Sequence, residues 1–299
     1  QMITVRRSTE HAKRYGRRRT GLEVMTPQQV NNEAVLAMEQ GLSSLAWIAL
    51  DLLFAGGIMT VDQLGLTQRT LRRYANRRIV DRYAFTPSFV AQRLGEYGLP
   101  VESGELYSLG PVGARIAEIR HGVKPASGFL AYPVERVLHD VLVNEIVLRI
   151  SAEAEEQGWK VIWASKYESS LFRDDVPILE PDAFIRLERD GDMRAFLIEY
   201  HNEDKRTRAI QKVRQYERAW DSDLWQEPWE VSEFPPLLAV FRNEIVGEGY
   251  LDGIKESAPV DCTYYGRVLA SVLAEGGLAD WFHINTKKKG NVFPWYQGE

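Results

Sequence analysis

Asp182, Glu199 and His201 are the residues whose types and spacing could carry a reaction in this 299-residue chain. They stand in Pro181-Asp182 and, sixteen intervening residues later, in Glu199-Tyr200-His201. Carboxylates are hard donors for divalent cations, and an imidazole shifts the preference from Mg²⁺ towards Mn²⁺ or Zn²⁺. His201 has a second chemical use as a general base. A metal held there would lower the pKa of an attacking water and steady a leaving oxygen. Like carboxylates set opposite one another cost stability unless a cation or proton relieves them. The same residues also have a structural reading: Asp182 and Glu199 paired with Arg186 or Arg194, and His201 bonded to its neighbours at a strand end.

A hairpin must position them. Asp182 to Leu187 alternates as a strand, Asp190-Gly191 is a two-residue turn signal, and Arg194 to Tyr200 returns. Counting outward from the turn, Arg189 opposes Asp192 and Asp182 opposes Glu199. Alternation then puts Asp182, Glu199 and His201 on one face. The spacing predicts a long helix from about Val134 to Glu156, with Glu145 in an apolar stripe of Leu138, Val141, Leu142, Leu148 and Ala152. Trp159 to Trp163 follows as a strand. After the hairpin come a helix at Thr207 to Trp220, a strand at Leu237 to Phe241, a helix at Val260 to Leu273 and a strand at Trp281 to Ile284. Trp220, Trp225, Trp229 and Phe234 sit among acidic residues, which favours packing or a dimer surface over stacking on bases.

The front half carries a different chemistry. Leu42 to Leu53 has a helical apolar stripe ended by Gly56-Gly57. Thr60 caps a short helix through Leu64, Gly65 marks a turn, and Thr67 caps a helix from Gln68 to Asn76. Leu71 and Tyr74 face inward. Gln68, Arg69, Thr70, Arg72, Arg73, Asn76, Arg77 and Arg78 supply donors for guanine edges and phosphates, as in the second helix of a helix-turn-helix. Ile79 to Tyr83 and Glu105 to Leu109 are the strands of a wing, residues 84–104 its enlarged loop, and Ala114 to Arg120 a further helix. Through residue 124 the chain has 17 Lys and Arg against 11 Asp and Glu; the rest has 20 against 31. A basic front on an acidic chain points to a polyanion contact confined to the front. A second basic cluster, with Arg17, Arg18 and Arg19, reads either as an arm along phosphates or as a solvated tail.

Taken in order, these segments resemble the replication-relaxation family. The resemblance rests on Arg69-Thr70-Leu71-Arg72-Arg73, Ile79-Val80-Asp81-Arg82 and Leu106 to Arg115. It continues with His139-Asp140, Asn144-Glu145, Pro181-Asp182-Ala183 and Phe196 to Glu199. It covers roughly residues 40 to 245. It implies a winged helix joined to a PD-(D/E)xK nuclease-like domain in a protein of plasmids or other mobile elements. In that superfamily Asp and Glu hold a divalent metal, Mg or Mn, and a Lys two residues after the Glu orients water. The pattern assigns the metal to Asp182 and Glu199, with Glu145 as the assisting acid of the preceding helix. The sequence departs at the third position, which is His201. At that departing position His201 reads from its own chemistry as a third metal ligand or a general base, and Lys205 or Lys212 on the following helix as the source of a relocated amine.

The fold class expected is α+β: a basic N-terminal arm at 1–40, a winged helix-turn-helix at 41–124 and a restriction-endonuclease-like core at 134–299. The Gly- and Pro-rich stretch 122–133 would carry the boundary. The sequence contains no P-loop, G-x-S-x-G or HExxH signature. The single cysteine, Cys262, excludes an internal disulfide framework and a cysteine-based zinc site. It points to a reducing, cytoplasmic compartment. No apolar run is long enough for a membrane span, and the basic start lacks the apolar core of a signal peptide. The expected partner is double-stranded DNA, bound by a homodimer, with replication or mobilisation proteins as further partners. Two functions stay open. One is a metal-dependent endonuclease or nickase; the other is a catalytically inactive regulator or replication-initiation factor using the nuclease-like fold for dimerisation or DNA clamping. An adaptor binding only protein is a third, and it leaves the basic helix unexplained.

Overall fold

The computed structural model describes residues 25–165, 169–174, 176–203, 205–290 and 292–296. Arg17, Arg18 and Arg19 lie outside the described residues. The chain is α+β and divides into two compact units, residues 1–141 and 142–299. No helix among the described residues is long and apolar enough to cross a membrane.

The first unit begins with α1 (Pro27–Glu39), at the end of the segment expected to be an arm. A reciprocal capping box between Thr26 and Gln29 and a proline in the first turn start it. Its Ala34 and Ala37 are buried. Then follow α2 (Ser44–Gly56), β1 (Ile58–Thr60), α3 (Val61–Leu64) and α4 (Gln68–Asn76). Thr60 caps α3 through a second capping box with Gln63. Gly65 turns the chain at φ 61°, a left-handed conformation that costs glycine little. Thr67 caps α4, whose Leu71 and Tyr74 are buried.

Next come β2 (Val80–Arg82), α5 (Pro87–Glu96), β3 (Leu106–Leu109) and α6 (Pro111–His121). The three strands form an antiparallel sheet in the order β1-β3-β2. The 84–104 segment is therefore not a plain loop. It contains α5, because Val90 and Leu94 bury completely when wound into a helix. The stretch 122–133 also packs into this unit rather than linking it to the next. Phe129 is buried, and the Tyr132 carbonyl accepts a 2.7 Å bond from the Tyr83 hydroxyl. The division between the units falls instead within α7 (Val134–Glu156).

The second unit is built on a seven-stranded mixed sheet. Its strands are β4 (Lys160–Ser165), β7 (Ala183–Arg189), β8 (Asp192–His201), β9 (Leu237–Phe241), β10 (Tyr264–Val268), β11 (Phe282–His283) and β12 (Lys288–Lys289). A separate two-stranded ribbon, β5 (Leu171–Arg173) and β6 (Val176–Leu179), precedes β7. The sheet order is β12-β11-β10-β9-β8-β7-β4. β8, β9 and β10 are parallel and the other neighbours antiparallel. Parallel neighbours need crossovers, which α8 (Arg206–Trp220) and α10 (Glu244–Ser257) provide. The short α9 (Gln226–Trp229) lies between α8 and β9, and α11 (Leu269–Glu275) follows β10.

The expected helix at Val260 to Leu273 is thus a strand followed by a short helix. α8 and α10 pack on each other through glycines of α10. A Cβ at Gly249 would come within 2.8 Å of the Arg206 carbonyl, and one at Gly253 within 3.0 Å of Val213. Phe184, Leu197, Ala239 and Phe241 of the sheet pack with Val213, Tyr216 and Tyr250 of these helices in one buried cluster. Trp229 belongs to it too: it stacks on Phe184 and its indole donates to the Ser169 carbonyl. Trp225 and Trp229 are therefore core residues.

Candidate functional site

The hairpin has the register counted from the turn. Asp190 and Gly191 take φ values of 51° and 85°, as a tight primed turn requires, and Arg189 pairs with Asp192. The ladder runs to Ala183 opposite Ile198, so Asp182 comes next to Glu199. The Asp182 amide donates to the Ile198 carbonyl at 3.1 Å. The Asp182 Oδ2 accepts the Tyr200 amide at 2.9 Å.

Glu199 points to the α8 side of the sheet. Its Oε1 accepts Lys212 Nζ at 2.6 Å and the Tyr216 hydroxyl at 2.8 Å. Lys212 and Tyr216 are four residues apart on α8, one helical turn, so a single helix face delivers both donors. Lys212 Nζ also donates to the Glu180 carbonyl at 3.3 Å. The Glu199 side chain is 2% exposed and that of Lys212 25%. Asp182 is half-buried. The centre thus opens to solvent through Asp182 and Lys212, with Glu199 behind them.

Burial pushes the Glu199 carboxyl above its usual range; Lys212 pulls it back, and Asp182 adds to the rise. Burial acts the other way on Lys212, but Glu199 and Asp182 outweigh it and hold the ammonium charged. Burial, and then Glu199, keep Tyr216 protonated. An ammonium paired with one carboxylate beside a second carboxylate leaves a local excess of negative charge.

The other sequence candidates are placed differently. His201 is half-buried, and its Nε2 lies 2.8 Å from the Tyr250 hydroxyl of α10. Glu145 takes the Arg149 Nε at 2.9 Å, and Arg149 reaches the Leu273 carbonyl. Lys205 is exposed and pairs with Glu203 at 3.3 Å. Of the two lysines, Lys212 meets Glu199. Among the described residues no group of three His, Cys, Asp or Glu side chains is spaced to hold a metal ion. Asp182, Glu199 and His201 therefore do not form the expected triad of ligands. Tyr216 escaped the sequence reading, although its spacing of four from Lys212 could have flagged it.

The basic helix forms a second centre, in the first unit. Arg69, Arg72, Arg73 and Asn76 of α4 are exposed. Gln68 donates to Ser103 Oγ at 3.2 Å, and the Thr70 hydroxyl lies 2.9 Å from that of Thr67. Arg73 lies over the Tyr74 ring, and an Arg77 nitrogen stands 4.0 Å from the Glu33 carboxylate. Arg78 does not belong to this surface. It is 7% exposed and its Nε donates to Asp81 at 3.0 Å, because the chain turns inward there at φ 58°. It is a structural ion pair rather than a ligand contact.

The model of the replication-relaxation family matches residues 51–231 of this chain, more than half its length. That span includes α4, the hairpin, Glu199 and Lys212. Comparisons with curated proteins and with solved structures gave no significant match.

Proposed function

The chain belongs to the replication-relaxation family, and on that footing we propose a DNA-binding protein of plasmid or mobile-element replication that nicks DNA with a divalent metal. In this reading the first unit is a winged helix. α3, the Gly65 turn and α4 are its helix-turn-helix, and β2 and β3 its wing. Arg69, Arg72, Arg73 and Asn76 lie along the groove and backbone of double-stranded DNA. A homodimer would match a palindromic site.

The second unit is read as a PD-(D/E)xK-like core whose lysine comes from the following helix. The observation that carries this reading is the 2.6 Å contact between Lys212 Nζ and Glu199 Oε1, beside Asp182. The donor set fits Mg²⁺ or Mn²⁺. Mg²⁺ is commonly held by one or two carboxylates and completes its shell with water and substrate phosphates. Asp182 and Glu199 would hold it, with His201 outside the set because Tyr250 engages its Nε2. Such a metal supplies Lewis acidity, lowering the pKa of a bound water. Lys212 and Tyr216 fix the Glu199 carboxylate from one side. The one remaining hydrogen of the Lys212 ammonium is a donor for a phosphate oxygen gaining charge.

One observation favours a second reading, a regulator or initiation factor without catalysis. Glu199 is almost wholly buried and both partners of its Oε1 are internal. The second unit would then serve dimerisation or DNA clamping. Supercoiled plasmid carrying the cognate region separates the two. Nicking in Mg²⁺ or Mn²⁺ that EDTA abolishes, and that a Glu199→Gln variant lacks, supports the nickase. Tight binding without nicking in any metal supports the regulator.

A further inference from the structure

Glu105 is a buried carboxylate between two half-exposed arginines. It directly precedes β3, and its side chain is 3% exposed. Its Oε1 accepts Arg72 Nη2 of α4 at 2.9 Å and Arg82 Nη1 of β2 at 3.0 Å. Its Oε2 accepts the Tyr107 hydroxyl at 2.6 Å. Its own amide bonds to Ser103 Oγ, which also receives Gln68 of α4. Helix, strand and the approach to β3 are therefore tied through one carboxyl group.

The arginines are tethered at one end only. The Arg72 side chain is 57% exposed and that of Arg82 54%. Each guanidinium has five N–H donors in a planar fork, so each keeps donors directed away from Glu105. Two cations held to one oxygen leave a net positive charge, and repulsion between them would splay them apart without the carboxylate. That arrangement suits an anion able to accept from both forks at once, as a phosphodiester does.

We propose that Glu105 is a positioning residue that holds Arg72 and Arg82 as a two-guanidinium clamp for one phosphate of the DNA backbone. The inference rests on the DNA-binding reading of the first unit and deepens it. Arg72 is assigned to the backbone rather than to a base edge, and Arg82, absent from the sequence candidates, joins the contact. A phosphate contact is independent of base sequence and loses a released counterion when it is removed.

The test is a double-mutant cycle on the full chain, read as duplex affinity against salt concentration. Arg82→Ala is expected to weaken binding about tenfold on every sequence tried and to flatten the salt dependence by about one phosphate. Glu105→Gln keeps the shape and removes the charge. It should weaken binding about tenfold in the wild-type background and leave affinity unchanged in Arg72→Ala/Arg82→Ala. A merely structural Glu105 would weaken binding equally in both backgrounds. Tighter binding by Glu105→Gln would make the carboxylate a repulsive group. Either result overturns the clamp, as does Arg82→Ala binding like wild type. If Glu105→Gln does not fold, Arg82→Ala decides alone. Wild-type protein that shows no salt-dependent DNA binding overturns the DNA-binding reading itself, and the clamp with it.

Discussion

Lys212 Nζ lies 2.6 Å from Glu199 Oε1 although the residues belong to different elements, a helix and the strand before it. The contact carries chemistry and stability together. A buried ion pair is costly to break because the remaining charge has no solvent to turn to.

Lys212→Met should therefore destabilise the protein by about 3 kcal/mol, since Glu199 stays buried without its cation. Adding Glu199→Gln should recover most of that loss, because both charges then leave together. Urea midpoints of the two single variants, the double variant and wild type measure this. A double variant as unstable as the sum of the singles would mean that the pair is not coupled.

Glu105 sets an acid limit on the first unit. Burial alone would raise its pKa, but the hydrogen bonds from Arg72 and Tyr107 outweigh it and hold it at about 2, below the usual 4.5. A carboxyl depressed on folding stabilises the folded state above its unfolded pKa and loses that contribution as pH falls towards the folded value. The window runs from about 4.5 down to about 2. With the arginines partly screened by solvent, the contribution is of order 1–3 kcal/mol. Unfolding of Glu105→Gln across pH 2–6 should lack this dependence. A variant whose stability falls with acid as steeply as wild type would place the depressed carboxyl elsewhere.

Arg69→Ala/Arg73→Ala removes two exposed cations from α4. Thermal stability should change by less than about 0.5 kcal/mol while DNA affinity and its salt dependence fall. Arg78→Ala should do the reverse. It breaks the buried Arg78–Asp81 ion pair and costs about 2–3 kcal/mol, while the protein that remains folded binds DNA as wild type does. Gel-shift titrations at two salt concentrations, paired with melting curves, distinguish the two sites.

Much of the hairpin was legible because its register depends only on the Asp190-Gly191 turn and a period of two. Counting from the turn put Asp182 beside Glu199. α8 was legible too, but a helical stripe does not say which of its polar residues turns towards the sheet; Lys212 needed the packing to be known. The region beyond β9 was misread for two reasons. β10 runs straight into α11 with no residue between them, so no turn signal separates strand from helix there. α10 was hidden because Gly247, Gly249 and Gly253 lower helix propensity, yet close packing on α8 and the sheet requires them. In the front half, Arg78 read as one more cation in a basic run. Only the left-handed turn of the backbone there takes it out of the exposed face.

The most direct measurement compares wild type with Asp182→Asn on supercoiled plasmid in Mg²⁺ and in Mn²⁺, with duplex affinity measured on the same preparations. Asp182 is half-buried and borders the opening of the centre, so the substitution spares the Glu199–Lys212 pair. Wild type is expected to nick, the variant not to, and both to bind DNA with equal affinity. Equal nicking by both proteins, or none by either while both bind, would contradict this expectation.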